Sequence, residues 1–228
     1  MALARYKDLC IDVVDADAGS RFWAGAIGLS ARPHDAGDTV VRLDGPTPQH
    51  GVWVNVVPEP VTVKQRVHLD LHTGSVGELE ALGARVLPGW DTPWTVMADP
   101  DGGELCAFVR DEPPAGYRHY ELGVDAADAR VIARWWADVW GGTVTDEEEF
   151  SWVDGVAGMP FDGIAFAPVP EPRTVKNRIH WDVDVDDAAG VRALVDAGAT
   201  VLREPDDDVS WTVMADPEGN EFCVFVAS

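Results

Sequence analysis

The stretch V-P-E-P-V-T-V-K-Q-R-V-H-L-D, residues 57–70, returns as V-P-E-P-R-T-V-K-N-R-I-H-W-D at residues 169–182, with ten of fourteen positions identical. A second block, residues 94–109, returns at residues 211–226 with twelve of sixteen positions identical. Repeats this close, 112 and 117 residues apart, indicate two homologous halves in tandem. The period is far too long for a solenoid unit.

Each half contains the same order of predicted elements twice: a strand, a helix and three further strands. In the first half, residues 9–14 form a predicted strand, and Asp15 is placed to cap a helix over residues 18–27. Gly28 then ends that helix. The second half repeats the plan with a helix over residues 129–140. The sequence therefore predicts four β-α-β-β-β modules.

The repeat also sets the expected domain limits. We predict a first domain over residues 1–112, a linker over 113–117 and a second domain over 118–228. The linker contains P-P-A-G, whose prolines and glycine interrupt regular structure.

The composition is that of an ordinary globular protein, with 46% hydrophobic and 25% charged residues. The formal net charge of -23 argues against nucleic acid or an anionic membrane as a partner, because both require basic patches. No apolar run approaches the roughly 18 residues that span a bilayer, and no leader-like segment opens the chain, so we expect a cytoplasmic protein. Its three cysteines form no C-x-x-C pair, and we expect reduced thiols.

Three features together carry a family resemblance. A capping Asp precedes a helix that contains Phe22-Trp23 or Trp135-Trp136, a Gly closes that helix, and the last block ends in D-P-E-G-N-E at residues 216–221. The chain resembles the vicinal oxygen chelate superfamily, which includes glyoxalase I, extradiol dioxygenases and bleomycin-resistance proteins. It is most similar to the glyoxalase-like domain branch common in actinobacteria.

The resemblance implies an α+β fold of two glyoxalase-like domains, each with two modules around a cupped mixed β-sheet. The sequence leaves open whether the modules pair within a half or between halves. It also leaves open whether the chain is a monomer that mimics a dimer or a homodimer.

Catalytic members of the superfamily hold a divalent metal between the strands. Carried over residue by residue, the resemblance places three candidate ligands in each half: Asp8, His68 and Cys106, and Glu121, His180 and Cys223. The two cysteines stand where the family has glutamate. A set of oxygen, imidazole and thiolate suits zinc, with manganese or nickel as alternatives.

Further candidates surround these positions. Glu221 and His180 are candidate catalytic groups, and Arg66 and Arg178 precede the His strands as candidate holders of an anionic substrate. Candidate aromatic walls of the ligand site are Trp181 and Trp211. Each has a structural alternative: the tryptophans and cysteines as core residues, the histidines on a solvated strand face, and the arginines as ties to acidic neighbours.

Two functions remain compatible with these residues. The first is a metal-dependent lyase or isomerase that acts on a small oxygen-rich molecule. The second is a metal-free binding protein, similar to the bleomycin-resistance type, that sequesters an aromatic or cationic molecule. Both take a small molecule as the partner.

Overall fold

The computed structural model describes residues 2–227 and contains the four predicted modules. The first comprises β1 (Arg5–Val13), α1 (Ala16–Ile27), β2 (Ser30–Ala31), β3 (Val40–Asp44), a 3-10 turn (Pro48–His50) and β4 (Val52–Val56). The second comprises β5 (Val67–Thr73), α2 (Val76–Leu82), β6 (Arg85–Val86), β7 (Thr95–Ala98) and β8 (Glu104–Val109). The third comprises β9 (His119–Ala126), α3 (Ala129–Trp140), β10 (Thr143–Asp146), β11 (Ser151–Asp154) and β12 (Gly163–Pro168). The fourth comprises β13 (Ile179–Val185), α4 (Ala188–Asp196), β14 (Thr200–Arg203), β15 (Thr212–Ala215) and β16 (Glu221–Val226).

The modules pair between the two halves of the sequence, which is one of the two arrangements that the sequence left open. One eight-stranded sheet has the order β14-β15-β16-β13-β1-β4-β3-β2 and combines the fourth module with the first. The other has the order β10-β11-β12-β9-β5-β8-β7-β6 and combines the third module with the second. Each sheet therefore takes one module from each half, and the predicted α+β class with mixed sheets is confirmed.

The centre of each sheet is an antiparallel strand pair that joins two modules. In the first sheet Asp8 of β1 lies opposite Asp182 of β13, and in the second Glu121 of β9 lies opposite Asp70 of β5. Both pairs have a register shift next to these acids, between residues 6 and 8 of β1 and between residues 119 and 121 of β9. A bulge of this kind re-aims the side chain of the extra residue.

The first helix of each half is capped as predicted. The carboxylate of Asp15 accepts a hydrogen bond from the N–H of Ala18, and that of Asp128 accepts one from Val131. Gly28 ends α1 with φ 83°, a left-handed conformation that glycine adopts without steric cost. The longest α-helices have twelve residues, and no helix of residues 2–227 has the length and apolar character of a membrane-spanning segment.

The hydrophobic core contains the large side chains that the sequence placed on helix faces and on one face of each central strand. Its fully buried members include Phe22 and Trp23 of α1 and Trp136 of α3. Trp181 of β13 is only 1% exposed, and its ring centroid lies 4.9 Å from that of Trp136. Trp181 therefore belongs to the core and does not line a ligand site.

The two D-P-x-G turns fix the hairpins that carry Cys106 and Cys223. In the turn before β8, Asp99 Oδ1 accepts the N–H of Gly103 at 2.7 Å. In the turn before β16, Asp216 accepts four hydrogen bonds, two of them from the side chains of Trp136 and Asn220 at 3.0 Å. The two aspartates occupy the same position of the repeat. Asp216 accepts hydrogen bonds from two side chains, whereas the hydrogen bond to Asp99 comes from a backbone N–H.

This difference predicts opposite responses to amide substitution. Burial raises the pKa of Asp99 to about 6 from an ordinary 3.8. A carboxyl whose pKa is raised on folding stabilises the fold below its unfolded pKa and loses that contribution as pH rises through the folded value. The difference between the two pKa values corresponds to roughly 3 kcal/mol of unfolding free energy at most. We therefore expect Asp99→Asn to unfold at a higher urea concentration than wild type at pH 8. Near pH 4 the two proteins should unfold at the same concentration.

Burial raises the pKa of Asp216 as well, but we expect the matched substitution Asp216→Asn to lower the urea midpoint at both pH values because it removes acceptors of buried donors. The amide nitrogen of the new side chain would face the donors of Trp136 and Asn220, which would leave buried donors without acceptors. Equal shifts of the urea midpoint in Asp99→Asn and Asp216→Asn would contradict the proposed difference between the two carboxyl groups.

Candidate functional site

Four side chains from three strands meet on one face of the second sheet, and we call them the β5 cluster. His68 and Asp70 alternate along β5 to the same face, Cys106 lies on β8, and Glu121 lies on β9 opposite Asp70. One donor atom from each of His68, Asp70 and Cys106 lies within 4.8 Å of the other two. The arrangement brings an imidazole, a thiol and two carboxyl groups together.

In the described part of the chain the two carboxyl groups of the β5 cluster have no Lys or Arg partner, and their only basic neighbour is His68. Across residues 2–227, no Lys or Arg nitrogen lies within 4.0 Å of the carboxyl oxygens of Asp70 or Glu121. Asp70 Oδ1 is buried, and its nearest basic atom is His68 Nε2 at 3.2 Å. Burial and then the neighbouring Asp70 raise the pKa of Glu121 to about 9.

The protonation of His68 follows from the same surroundings. Burial disfavours its imidazolium form, but Asp70 and Cys106 outweigh that effect and hold the pKa of His68 well above its ordinary value. His68 also needs space over the neighbouring strand, where a Cβ added to Gly123 would lie 2.4 Å from the ring. The glycine at 123 therefore positions the imidazole.

Five side chains occupy the equivalent face of the first sheet, and we call them the β13 cluster. Its members are Asp8, Cys10, His180, Asp182 and Cys223, all of them buried. Donor atoms of Cys10, His180 and Asp182 lie within 4.8 Å of one another. The Cys10 thiol is 3.7 Å from Asp182 Oδ1, and burial lowers the pKa of His180 to about 4.

Two cations neutralise the carboxylates of the β13 cluster. Lys7 Nζ lies 3.2 Å from both carboxylate oxygens of Asp8 and 3.8 Å from Asp182 Oδ2. Arg42 Nη1 donates to Asp8 Oδ2 at 2.7 Å, and Trp53 Nε1 donates to the same oxygen at 3.2 Å. The carboxylate of Asp8 is thus already held by three protein donors.

The bulges explain why the two clusters differ. The bulge before Asp8 lets Lys7 and Asp8 reach the same face of β1, whereas the bulge before Glu121 presents Tyr120. The ring of Tyr120 stacks on His72 with centroids 4.5 Å apart and supplies no cation. The bulge position therefore supplies a cation in one cluster and an aromatic ring in the other, and Arg42 adds a second cation to the β13 cluster.

A sequence profile of the family described as "Glyoxalase-like domain" matches residues 8–108 and 121–225. This chain belongs to that family. The glyoxalase-like protein is therefore a member of the vicinal oxygen chelate superfamily, and the two profile matches coincide with the two halves of the repeat. No curated protein sequence matches it.

Solved structures show the same fold at low sequence identity. Glyoxalase I from Zea mays has a TM-score of 0.67 and 14% identity, over 98% of the glyoxalase-like protein and 92% of the maize chain. A putative dioxygenase from Bacillus subtilis subsp. subtilis str. 168 has a TM-score of 0.63 and 13% identity, over 96% and 84% of the two chains. The cppA protein from Streptococcus pneumoniae TIGR4 has a TM-score of 0.52 and 11% identity, over 98% and 100%. At these identities the likeness concerns the fold alone.

The six predicted metal ligands of the glyoxalase-like protein lie in the two clusters, but in a different grouping from the predicted one. Glu121 lies with His68 and Cys106, whereas Asp8 lies in the cluster that contains His180 and Cys223. Compared with the predicted sets, Asp8 and Glu121 have changed places, because each sheet combines modules from both halves. The predicted sets of Asp8 with His68 and of Glu121 with His180 are not formed.

The remaining predicted site residues have structural partners. Glu221 is buried, forms an ion pair with Arg173 and accepts the N–H of Asn177 at 3.2 Å. Arg66 and Arg178 donate to backbone carbonyls of the opposite copy of the repeated stretch. Trp211 stacks on Phe225 with centroids 5.3 Å apart.

The sequence analysis did not identify Lys7 or Arg42 as site residues. Lys7 and Asp8 precede the predicted strand of residues 9–14, and the structure includes both in β1, where strict alternation would place Lys7 on the face opposite to Asp8. Arg42 is 34 positions from Asp8 in sequence and meets it only because β3 and β4 follow β1 in the sheet. The sequence does show a difference at this position. The residue before Asp8 is Lys7, whereas the residue before Glu121, at the equivalent position of the second half, is Tyr120.

Proposed function

We propose that the glyoxalase-like protein is a metal-dependent enzyme, a lyase or isomerase of small oxygen-rich molecules, with a single metal centre in the β5 cluster. The observation that supports one centre is the difference in charge between the clusters. Among residues 2–227 the only basic neighbour of Asp70 and Glu121 is His68, itself a candidate ligand, whereas Lys7 and Arg42 contact Asp8 and Lys7 also lies 3.8 Å from Asp182. A divalent cation can displace the protons of His68 and Glu121, but it cannot displace the fixed charges of Lys7 and Arg42, so the β5 cluster is the more favourable of the two sites.

The residues of the β5 cluster fit such an ion. Asp70 Oδ1 is a buried acceptor without a hydrogen bond, and His68 and Cys106 offer nitrogen and sulfur beside it. Nitrogen, sulfur and oxygen donors in one site favour zinc over manganese, with nickel as the next candidate. When bound, the ion would polarise substrate oxygens as a Lewis acid and lower the pKa of the neighbouring acid groups.

Glu121 is the candidate proton carrier. Its carboxyl is half-buried, lies opposite Asp70 and has a pKa raised to about 9 in the metal-free protein. A general acid or base is most effective when its pKa lies near the working pH, and a neighbouring dication shifts Glu121 in that direction. We therefore assign Glu121 to proton transfer and His68, Asp70 and Cys106 to metal binding.

An aromatic row beside the β5 cluster supports binding of a planar or aromatic substrate. His72 and Phe108 each lie two residues beyond a cluster member on the same strand, and Tyr120 contacts both rings at centroid distances of 4.5 and 5.2 Å. Trp94 stacks on Phe108 at 5.3 Å. These half-buried rings would form a hydrophobic wall for the substrate next to the metal ligands.

Metal stoichiometry tests the proposal directly. The chain stripped of metal with a chelator should take up one equivalent of Co²⁺, with a thiolate-to-cobalt absorption band in the near ultraviolet that is absent from Cys106→Ser. Zinc should displace the cobalt. Uptake of two equivalents would contradict the single centre, and no uptake of zinc, manganese, nickel or cobalt would favour the metal-free binding protein instead.

Deuterium exchange tests the chemistry without a known substrate. The zinc-loaded chain should catalyse wash-in of solvent deuterium at C–H bonds next to carbonyls in a panel of aliphatic and aromatic hydroxyketones, as followed by NMR. Glu121→Gln should keep the metal and lose the exchange, because the amide cannot carry the proton. Exchange at the wild-type rate in this variant would remove Glu121 from the mechanism.

A further inference from the structure

A cavity between the two copies of the repeated stretch lies outside both clusters. Its volume is about 940 Å³, and its walls are the two copies of the repeated stretch, residues 57–66 and 171–178, together with Asp12. Small-molecule sites in proteins commonly measure roughly 300–1,000 Å³. The cavity contains none of the residues assigned to metal binding or proton transfer.

Reciprocal contacts hold the two walls in place. Arg66 Nη2 donates to the carbonyl oxygens of Glu171 and Pro172 at 2.8 and 3.2 Å, and Arg178 Nη1 donates to that of Glu59. Both arginine side chains are only 12% exposed. Each copy of the stretch is thus fastened to the other, and the cavity is preformed, which reduces the entropic cost of binding.

The walls of the cavity include exposed apolar side chains that are not part of the hydrophobic core. Val63 and Val175 hold the same position in the two copies and are 44% and 47% exposed. Both line the cavity, along with valines and prolines such as Val61 and Pro172. Burying such side chains against an apolar ligand would be favourable by roughly 25 cal/mol for each Å² removed from water.

The rim of the cavity carries an unusual density of positive charge for this acidic chain. Five of its lining residues are basic and three are acidic, in a protein of net charge -23. The side chains of Lys64 and Lys176 are 39% and 57% exposed. Lys64 pairs with Asp125 and lies 3.8 Å from Glu104, whereas Lys176 has only the carboxylate of Asp12 as an ionic partner among residues 2–227. Arg173 Nε, also in the lining, is buried without an acceptor.

We propose that this cavity is a second ligand site, which binds an apolar molecule bearing a carboxylate. The valines and prolines of the two copies hold the apolar body, and the lysine ammonium groups and Arg173 hold the carboxylate. The site is separate from the β5 cluster and does not depend on a metal.

Isothermal titration calorimetry of the full chain with decanoate tests the proposal. Decanoate should bind with a stoichiometry of one, and 1-decanol, which lacks the charge, should bind at least tenfold more weakly. Val63→Ser combined with Val175→Ser should weaken decanoate at least tenfold. Val131→Ser, at a valine of α3 that is 60% exposed and far from the lining in sequence, is the matched control and should change nothing.

Two further variants separate the parts of the proposal. Lys64→Met combined with Lys176→Met should weaken decanoate and leave 1-decanol unchanged, whereas His68→Ala should leave decanoate binding intact. Absence of decanoate binding, or an undiminished affinity in the double serine variant, would overturn the site. Equal affinity for decanoate and decanol would overturn the carboxylate, and loss of binding in His68→Ala would overturn the separation from the β5 cluster.

Discussion

Arg42→Ala is expected to destabilise the fold by about 3 kcal/mol, because it leaves the buried carboxylate of Asp8 with too little positive charge. The side chains of Arg42 and Asp8 are only 9% and 5% exposed, and their atoms meet at 2.7 Å. Removal of one partner of a buried ion pair typically costs 3–5 kcal/mol. We expect the lower end of that range, since Lys7 and Trp53 still donate to Asp8.

Urea unfolding with tryptophan fluorescence measures this effect. The matched control is Arg32→Ala, whose partner Asp44 is 42% exposed and whose own side chain is 60% exposed, so its loss should leave the urea midpoint unchanged. Adding Asp8→Asn to Arg42→Ala should recover part of the stability, because the uncompensated charge is then gone. If Arg42→Ala behaved like Arg32→Ala, Asp8 would not depend on this ion pair.

His68→Ala is expected to lower the zinc affinity of the chain by more than about 100-fold. Loss of an outer-shell partner already costs 10–100-fold at metal sites, and His68 is assigned as a direct ligand. His180→Ala is the matched control from the other sheet, and it should leave both affinity and stoichiometry unchanged. A competition titration with a colorimetric zinc chelator gives both values.

The same zinc affinity should rise with pH. In the metal-free chain Glu121 and His68 hold protons, since the pKa of Glu121 is about 9 and that of His68 is well above its ordinary value. A metal must displace these protons, so binding should be tighter at pH 8 than at pH 6, with protons released on binding. An affinity independent of pH, or a loss of affinity in His180→Ala equal to that in His68→Ala, would contradict the assignment to the β5 cluster.

The repeat in the sequence predicts the four modules, but it does not predict how they pair. Homologous strands such as β1 and β9 offer nearly the same edge to either copy of the His strand, so local pattern does not distinguish pairing within a half from pairing between halves. In the observed pairing, Arg66 and Arg178 fasten the two stretches that connect the modules to each other. Such contacts have no periodicity that a sequence pattern would reveal.

The residue types of the candidate site were predictable from the sequence. The sequence did not predict which ligands lie together or which cations lie next to Asp8. His68 and Cys106 were identified from family positions, and the structure brings them together. The contact between Lys7 and Asp8 was missed because it depends on a bulge, which turns Lys7 toward the face that alternation assigns to Asp8 alone. A β-bulge adds one residue to a strand, and the alternating pattern of strand residues does not predict where it occurs.

The pairing of β1 with β13 has a consequence for how the protein is made. Cys10 and Asp182, whose side chains meet in this pair, are 172 positions apart, so the first sheet cannot form until nearly all of the chain has left the ribosome. The middle of the chain faces no such delay, because β5 and β9 are close in sequence and can pair early. During synthesis we therefore expect the second sheet to form before the first, because the first sheet requires strands from both ends of the described chain.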